Sequence, residues 1–418
     1  MCDMAVVVPE DGPVWLAKNS NREPSEAQFL ECHEGSSLAA GAPEGLLDVP
    51  LEGRVLLSRP AWMWGCEMGV NAHGLAIGNE AVWTRLPALK AGFSGMDFQR
   101  VVLAMCRTAD DALELLIELT ERLPQGGPMQ HRHRSHPYHS SFLLADATTA
   151  WVFETAGHFW AAKRVRGVAT ISNALTIQND FDRVHKKAYD FARDRGWVDT
   201  SADFAFARVF SHRAISVLSG AEIRRACTER SLSGVQTYRP RHFIRALTDH
   251  DESEPIKGLR GVSPCSHASW LPTRVTQQTT ASLMVRLDEA GPTVWATGTS
   301  SPCLSVFKPA PLDPALFPLR PVADPRFDAN ELWWAHERLH RACLADYHAR
   351  RVAFAEDHER FQDTCLEPAA DAATVWREHR ARIDDWLPRA LEIQARRLPM
   401  ITRWYWARQS KLSALPAQ

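Results

Sequence analysis

The sequence predicts an α/β (α+β) protein of layered antiparallel sheets covered by helices, followed by a helical appendage. Three observations carry this. Short β-branched runs recur in hairpin-like pairs, beginning with "MAVVV", the turn "EDGP" and "VWLAK". Helical periodicity falls between these pairs without regular βα alternation, which argues for stacked sheets over a parallel one. A proline-rich stretch, "FKPAPLDPALFPLRPVADP", then gives way to charged, Trp-bearing helix-like sequence.

Taken in order, Asp3 to Val8 and "VWLAK" form the opening hairpin. Further strands are expected at "GLAIGNEAVW", "SSFLLADATTAWVFET", "HFWAAKRV", "GVATIS", "TASLMVRL" and "TVWATGTS". Asp97 to Leu123 repeats apolar residues at spacings of three and four, with a break near Thr108. Helices are also expected from about Asp182 to Ser219 and from Arg239 to Asp249, with "ARDRGW" and the serines as breaks, and along Asn330 to Trp406. The expected organisation is a main domain over 1–310, a stiff connection over 311–329 and a helical extension over 330–418 that packs on the main domain.

In the 418 residues, forty-eight Lys and Arg against fifty Asp and Glu leave a net charge of −2, which argues against nucleic acid or an anionic membrane as partner. The start lacks a secretory n-region and h-region, so a cytoplasmic location is expected. Nine cysteines without CxxC pairing argue against a disulfide framework and against a cysteine-only zinc site. The composition leaves a homo-oligomer open.

Cys2 is the candidate nucleophile. Removal of Met1 would place a thiol and a free α-amine on one residue, with ordinary pKa values of about 8.5 and about 7.7 to 8.0, so the amine can serve as the thiol's base. The alternative is an idle cysteine at a chain end.

"MCD" with its apolar strand, the Pro-Gly turn and "AKNSNR" resembles the secernins and related dipeptidases, within the cysteine N-terminal nucleophile (Ntn) hydrolases. Further matches follow in order: "SRPAWMWGCEMGVNAHGLAIGNEAVWT", "GMDFQRVVL", "QGG", "SSFLLADATTAWVFETAG", "ISNALTI", "TTASLMVRL", "TGTSSPCLSVFKP" and "LWWAHERLHR". The resemblance implies a four-layer αββα sandwich with the N-terminal residue at the edge of its central sheets. It implies attack of Cys2 on a small linear amide or dipeptide-like bond, an acyl-thioester, and release by water. Transfer of the acyl group to an amine and a non-catalytic interaction scaffold are the alternatives.

The resemblance also assigns roles. Lys18 and Asn21 match positions that carry an arginine and an aspartate in bile-salt hydrolases; where secernins read "KNSDR" this chain reads "KNSNR". Asn21 is expected to orient the amine without adding charge, and Asn79 and Asn173 to hold the oxyanion. Asn71, Asn19 and Glu80 are weaker candidates. The late arginine that supports the nucleophile in bile-salt hydrolases reads as missing, its place taken by Leu283.

No cofactor or metal is expected. "QGGP" is too short to cradle a phosphate, and no P-loop or dinucleotide fingerprint occurs. His131, His133, His136 and His139 read as a solvated or substrate-facing loop; Cys265 and His267 are spaced like a Cys and His pair, but with Cys2 available His267 reads as structural or as standing behind the residues that meet substrate. Trp62, Trp64, Trp333 and Trp334 read as core or interface aromatics.

Overall fold

The computed structural model describes residues 2–416 apart from 47–50, 52, 133–136, 251–261, 269–276, 324, 396 and 397. One six-stranded sheet contains β1 (Asp3–Val8), β2 (Val14–Arg22), β10 (Gly167–Ile171), β12 (Gln278–Asp288), β13 (Gly291–Ala296) and β14 (Lys308–Pro309), in the order β10-β1-β2-β12-β13-β14. An eight-stranded sheet contains β3 (Gln28–Glu34), β4 (Arg54–Pro60), β5 (Met68–Asn71), β6 (Ala76–Val82), β7 (His139–Ala145), β8 (Ala150–Ala156), β9 (Phe159–Arg164) and β11 (Arg183–Val184). Its order is β11-β9-β8-β7-β6-β5-β4-β3. Every pairing between these strands is antiparallel.

The two-residue period of the strands decides the layering. Met4, Val6, Val14 and Leu16 point into the space between the sheets, where they meet Val70, Ala76, Leu143 and Val152. Ala5, Val7, Trp15 and Ala17 point the other way, toward α7 (Pro240–Leu247) and the end of α6 (Ala221–Leu232). There Trp15 stacks on Phe243 and Trp295 with ring centroids 4.8 and 6.0 Å apart. On the second sheet, Ile77, Phe142, Leu144 and Phe153 face α1 (Gly95–Met105) and α2 (Ala109–Arg122). The arrangement is helices, sheet, sheet, helices. Both faces of each sheet are covered, so the opening strand reads as continuous apolar sequence instead of alternating.

The helix break near Thr108 is real. Ser94 caps α1 and pairs reciprocally with Asp97, while the Thr108 side chain accepts from Asp111 N–H to start α2. The stretch from Asp182 to Ser219, expected as helices broken at "ARDRGW" and at the serines, is broken there and is less helical than expected. It holds β11 and three short helices, α3 (Ala188–Asp194), α4 (Phe206–Phe210) and α5 (Arg213–Leu218). Its apolar residues are aromatic and clustered, so Phe159, Phe191, Trp197, Phe206 and Phe210 pack on one another as a knot that needs no long helical stripe.

Beyond the proline-rich stretch come α8 (Leu332–Cys343), α9 (Tyr347–Val352), α10 (Ala355–Leu366), α11 (Ala372–Glu392) and α12 (Met400–Ser413). Trp333 and Trp334 are buried edge to face at 4.7 Å, and Trp333 Nε1 donates to Thr280 O of β12, so α8 docks directly on the first sheet. No helix among the described residues is long and apolar enough to cross a membrane.

Helix α1 also fixes the segment entering β5. Cys66 N–H donates to Met96 O, Arg100 donates to Trp64 O, and Gln99 donates to Cys66 O. Gly65 permits this approach, since a Cβ there would lie 2.5 Å from Met96 C and 2.6 Å from Asp97 N. Both are backbone atoms that cannot yield. Gly65→Ala is expected to destabilise the chain by about 1–3 kcal/mol through overpacking, read as a lowered denaturation midpoint with an unchanged denaturant slope.

Candidate active site at the start of the first strand

Cys2 precedes β1 and is 6 % exposed. Its backbone N donates to Asn173 Oδ1 at 2.8 Å. Its Sγ accepts from Asn21 N–H at 3.2 Å and lies 3.8 Å from both Asn21 O and Glu67 Oε2. The thiol thus sits where β1, the end of β2, and the segment entering β5 converge. A small, partly enclosed cavity of about 20 Å³ adjoins it, walled in part by Asn21, Glu67, Asn79, Met129 and Tyr138. That is room for about one water molecule.

Two buried ionic groups flank the thiol. Glu67 pairs with Lys18 at 3.3 Å and with Arg22, which also holds Glu26 at 2.6 Å. Lys18 further donates to Asn79 O. On the other side, Arg224 on α6 donates to Cys2 O at 2.7 Å, to Asp3 Oδ2 at 2.6 Å and to Asn173 Oδ1 at 2.7 Å. Ser172 Oγ completes this knot by donating to Cys2 O and Asp3 Oδ1.

The electrostatics follow from burial. Burial pushes the Cys2 thiol up to about 11, against the pull of Lys18. Burial also acts to raise Glu67, but Lys18 and Arg22 outweigh it and hold that carboxyl below its ordinary value. Lys18 loses to burial less than it gains from the thiol, Glu67 and Glu80, so it stays above its ordinary value. Glu80 has no hydrogen-bond partner among the described residues, and burial raises it well above 4.5.

The expected residues are distributed as follows. Asn173 is at Cys2, with its oxygen on the Cys2 N–H and its Nδ2 donating to Ala81 O at 2.8 Å. Both ends of the carboxamide are committed, unlike the free oxyanion donor the sequence suggests. Asn21 offers its backbone N–H to Sγ, while its side-chain oxygen accepts from Thr279 at 2.7 Å. Asn79 lines the cavity, and among the described residues its Nδ2 meets the Met96 thioether at 3.1 Å and Ser140 Oγ at 3.4 Å. Asn71 is a turn residue tying β5 to α1, and Asn19 binds Leu247 O and Pro264 O.

Leu283 lies in the core between the sheets, opposite Lys18. No arginine stands at that late position; a different one, Arg224, reaches the backbone of Cys2 from α6, an element that sequence periodicity does not reveal. Glu67 was also missed, although a lone carboxylate in the apolar run "GCEMGV" is a usable signal. Of the histidines, His131 packs on Trp62 and His139 meets Thr84 Oγ1. His133 and His136 lie outside the described residues.

Residues 48–192 match the family model described as acyl-coenzyme A:6-aminopenicillanic acid acyl-transferase. Among solved structures, the C2A mutant of conjugated bile acid hydrolase from Clostridium perfringens is 12% identical, covering 71% of this chain and 88% of its own with a TM-score of 0.42. Penicillin V acylase from Agrobacterium tumefaciens is 13% identical, covering 74% and 86% with a TM-score of 0.44. The Caenorhabditis elegans N-acylethanolamine-hydrolyzing acid amidase ortholog is 10% identical, covering 68% and 92% with a TM-score of 0.34.

The state of Glu80 has a measurable consequence. Its carboxyl ionises near 4.5 when unfolded but keeps its proton to higher pH when folded, so the unfolded state is favoured increasingly as pH rises above that value. Glu80→Gln removes this drain. The variant's melting temperature is expected to exceed the parent's by ~2 °C or more at about pH 8, with the gap closing toward about pH 5.

Proposed function

We propose that the chain, once Met1 is removed, is a cysteine N-terminal nucleophile enzyme that cleaves a small linear amide or dipeptide-like bond through an acyl-thioester on Cys2. The observation that carries the proposal is the pairing of Cys2 N with Asn173 Oδ1 beside a thiol that faces a cavity. With Met1 gone that nitrogen becomes the α-amine, and Asn173, itself held by Arg224, aims it.

In this reading the amine takes the thiol proton, which a thiol held near 11 does not surrender at neutral pH without a base. Lys18 and the Asn21 N–H stabilise the sulfur anion as it forms. Sulfur attacks the carbonyl carbon, and the oxyanion is held by Asn79 Nδ2, which gives up only weak acceptors to do so. The carbon–nitrogen bond breaks as the ammonium returns its proton to the leaving amine. Water, deprotonated by the same amine, then attacks the thioester and releases the acid and the thiol.

Acyl transfer is the second reading, and the match over residues 48–192 favours it. An amine acceptor in place of water gives a new amide from the same thioester. Product that rises with added amine acceptor at constant acyl donor identifies transfer; product independent of acceptor identifies hydrolysis.

The test is the intact mass and N-terminal peptide of the native chain, before and after a limiting dose of alkylating agent. The expected result is loss of Met1 and alkylation of Cys2 ahead of the other eight cysteines. Retained Met1, or a Cys2 no faster than its fellows, overturns the proposal in favour of an interaction scaffold. On an amide substrate found by screening small N-acyl amino acids and dipeptides, Cys2→Ala is expected to lower kcat by up to about 10⁶-fold and Asn79→Ala by about 100- to 1,000-fold.

A further inference from the structure

A second group of reactive side chains lies apart from Cys2. His250 follows α7, Cys265 and His267 share one loop, and Cys303 lies in the turn after β13. Cys265, His267 and Cys303 are buried and His250 is half-buried. Their four ligating atoms all lie within 4.8 Å of one another. His267 Nε2 is 3.2 Å from His250 Nε2, 3.5 Å from Cys265 Sγ and 3.4 Å from Cys303 Sγ.

Hydrogen bonding does not account for this convergence. A ring nitrogen offers one N–H or one lone pair, yet three polar atoms crowd around His267 Nε2. The orientation of that nitrogen is also decided elsewhere. Glu337 Oε2 lies 3.1 Å from His340 Nδ1, and His340 Nε2 lies 3.0 Å from His267 Nδ1. Glu337 is held in turn by Arg341 at 2.7 Å, Ser300 at 2.7 Å and Gln278 at 2.8 Å. A carboxylate accepts only, so His340 donates through Nδ1 and accepts through Nε2. His267 therefore carries its proton on Nδ1 and presents a lone pair at Nε2 to the cluster. This carboxylate-to-histidine support is how ligating imidazoles are held at metal centres.

From these contacts we infer that His250, Cys265, His267 and Cys303 form a tetrahedral site for a structural zinc ion. Zinc–nitrogen bonds near 2.0 Å and zinc–sulfur bonds near 2.3 Å place ligand atoms about 3.3 to 3.8 Å apart in a tetrahedron, which matches the separations around His267. Two thiolates and two imidazoles select zinc over magnesium or calcium, which take oxygen ligands. Two thiolates also neutralise the divalent charge, so the site is tolerable in the interior. Binding is an exchange: two thiol protons leave to solvent as two sulfur–zinc bonds form. All four positions belong to the protein, so no place remains for substrate and the ion's role is to hold the fold.

The backbone around the cluster suits that role. Cys265 N–H donates to Asp249 O at 3.1 Å, closing the loop onto the end of α7, and Asn19 Nδ2 bridges Leu247 O and Pro264 O. Ser301 adopts φ 51°, a left-handed conformation costly for a side chain larger than glycine, at the turn that delivers Cys303. Ser266 N–H donates to Thr279 Oγ1, which donates to Asn21 Oδ1. The ion would thus lock α8, the turn after β13 and the loop after α7 to the strand end that carries Asn21.

The test uses the full chain, expressed with zinc in the medium and purified without chelator. Elemental analysis is expected to find about one zinc per chain, falling at least tenfold in Cys303→Ser and in His267→Ala. Should those variants fail to fold, the parent chain exchanged into cobalt decides: intense tetrahedral visible bands with a sulfur charge-transfer band support the site. A folded chain that holds no zinc, a weak octahedral cobalt spectrum, or a Cys265–Cys303 disulfide in freshly purified protein overturns it. Zinc content is independent of Met1 removal, so failure of the proposed enzyme activity leaves this result untouched.

Discussion

The structure around Cys2 depends on compensated charge among buried side chains. Lys18, Glu67 and Arg22 are buried together, as are Asp3 and Arg224, and neither set could be left half complete. Removing one member of a buried pair typically costs about 3–5 kcal/mol, because the partner remains as an uncompensated charge. Three carboxylates, Asp3, Glu26 and Glu67, and three cations therefore hold β1, β2, the entry to β5, and α6 in a single arrangement. Glu80 is the remainder of this balance. Lys18 is engaged by Glu67 and Arg224 by Asp3, and burial raises a further carboxyl between the sheets, that of Glu80, well above its ordinary value despite both cations nearby.

That balance also defines what the thiol experiences. Glu67, 3.8 Å away, opposes the thiolate, and Lys18 favours it; because the two are paired with each other, each blunts the other's effect on Cys2. Burial then dominates and keeps the sulfur protonated. A thiol of this kind gives up its proton only to a base within reach.

What the sequence made legible, and what it did not, separates along the same line. The opening hairpin, the divided helix around Thr108, the strand carrying Asn79 and the strand that precedes Asn173 follow from apolar period, and all are present. The strands β3 and β4 were not singled out because their buried positions include Gln28, Glu31, His33 and Arg59, which read as surface in a one-dimensional pattern. The same masking hid α6. Its buried face contains Arg224, Cys227 and Thr228, so the helix has almost no apolar stripe to detect. Residues that pair charge in the interior look, in sequence, like residues that face water.

The different contacts of Asn21 and Asn173 have a physical origin of the same kind. A carboxamide has one acceptor and one donor end, and its role is set by what its neighbours leave open. Asn21 sits at the end of β2, opposite Thr279, where a β-bulge between Thr279 and Ala281 turns the threonine hydroxyl onto the asparagine oxygen. Asn173 follows β10 next to β1, where Ala81 O takes its donor end and leaves its oxygen for Cys2 N and Arg224. Strand register supplied Cys2 with its acceptor from the neighbouring strand on one side and its N–H to sulfur from the strand on the other. The asparagine standing where an aspartate is expected is thus compatible with an oriented nitrogen, because the orienting atom belongs to a different residue, and the arginine behind it makes that oxygen a fixed acceptor.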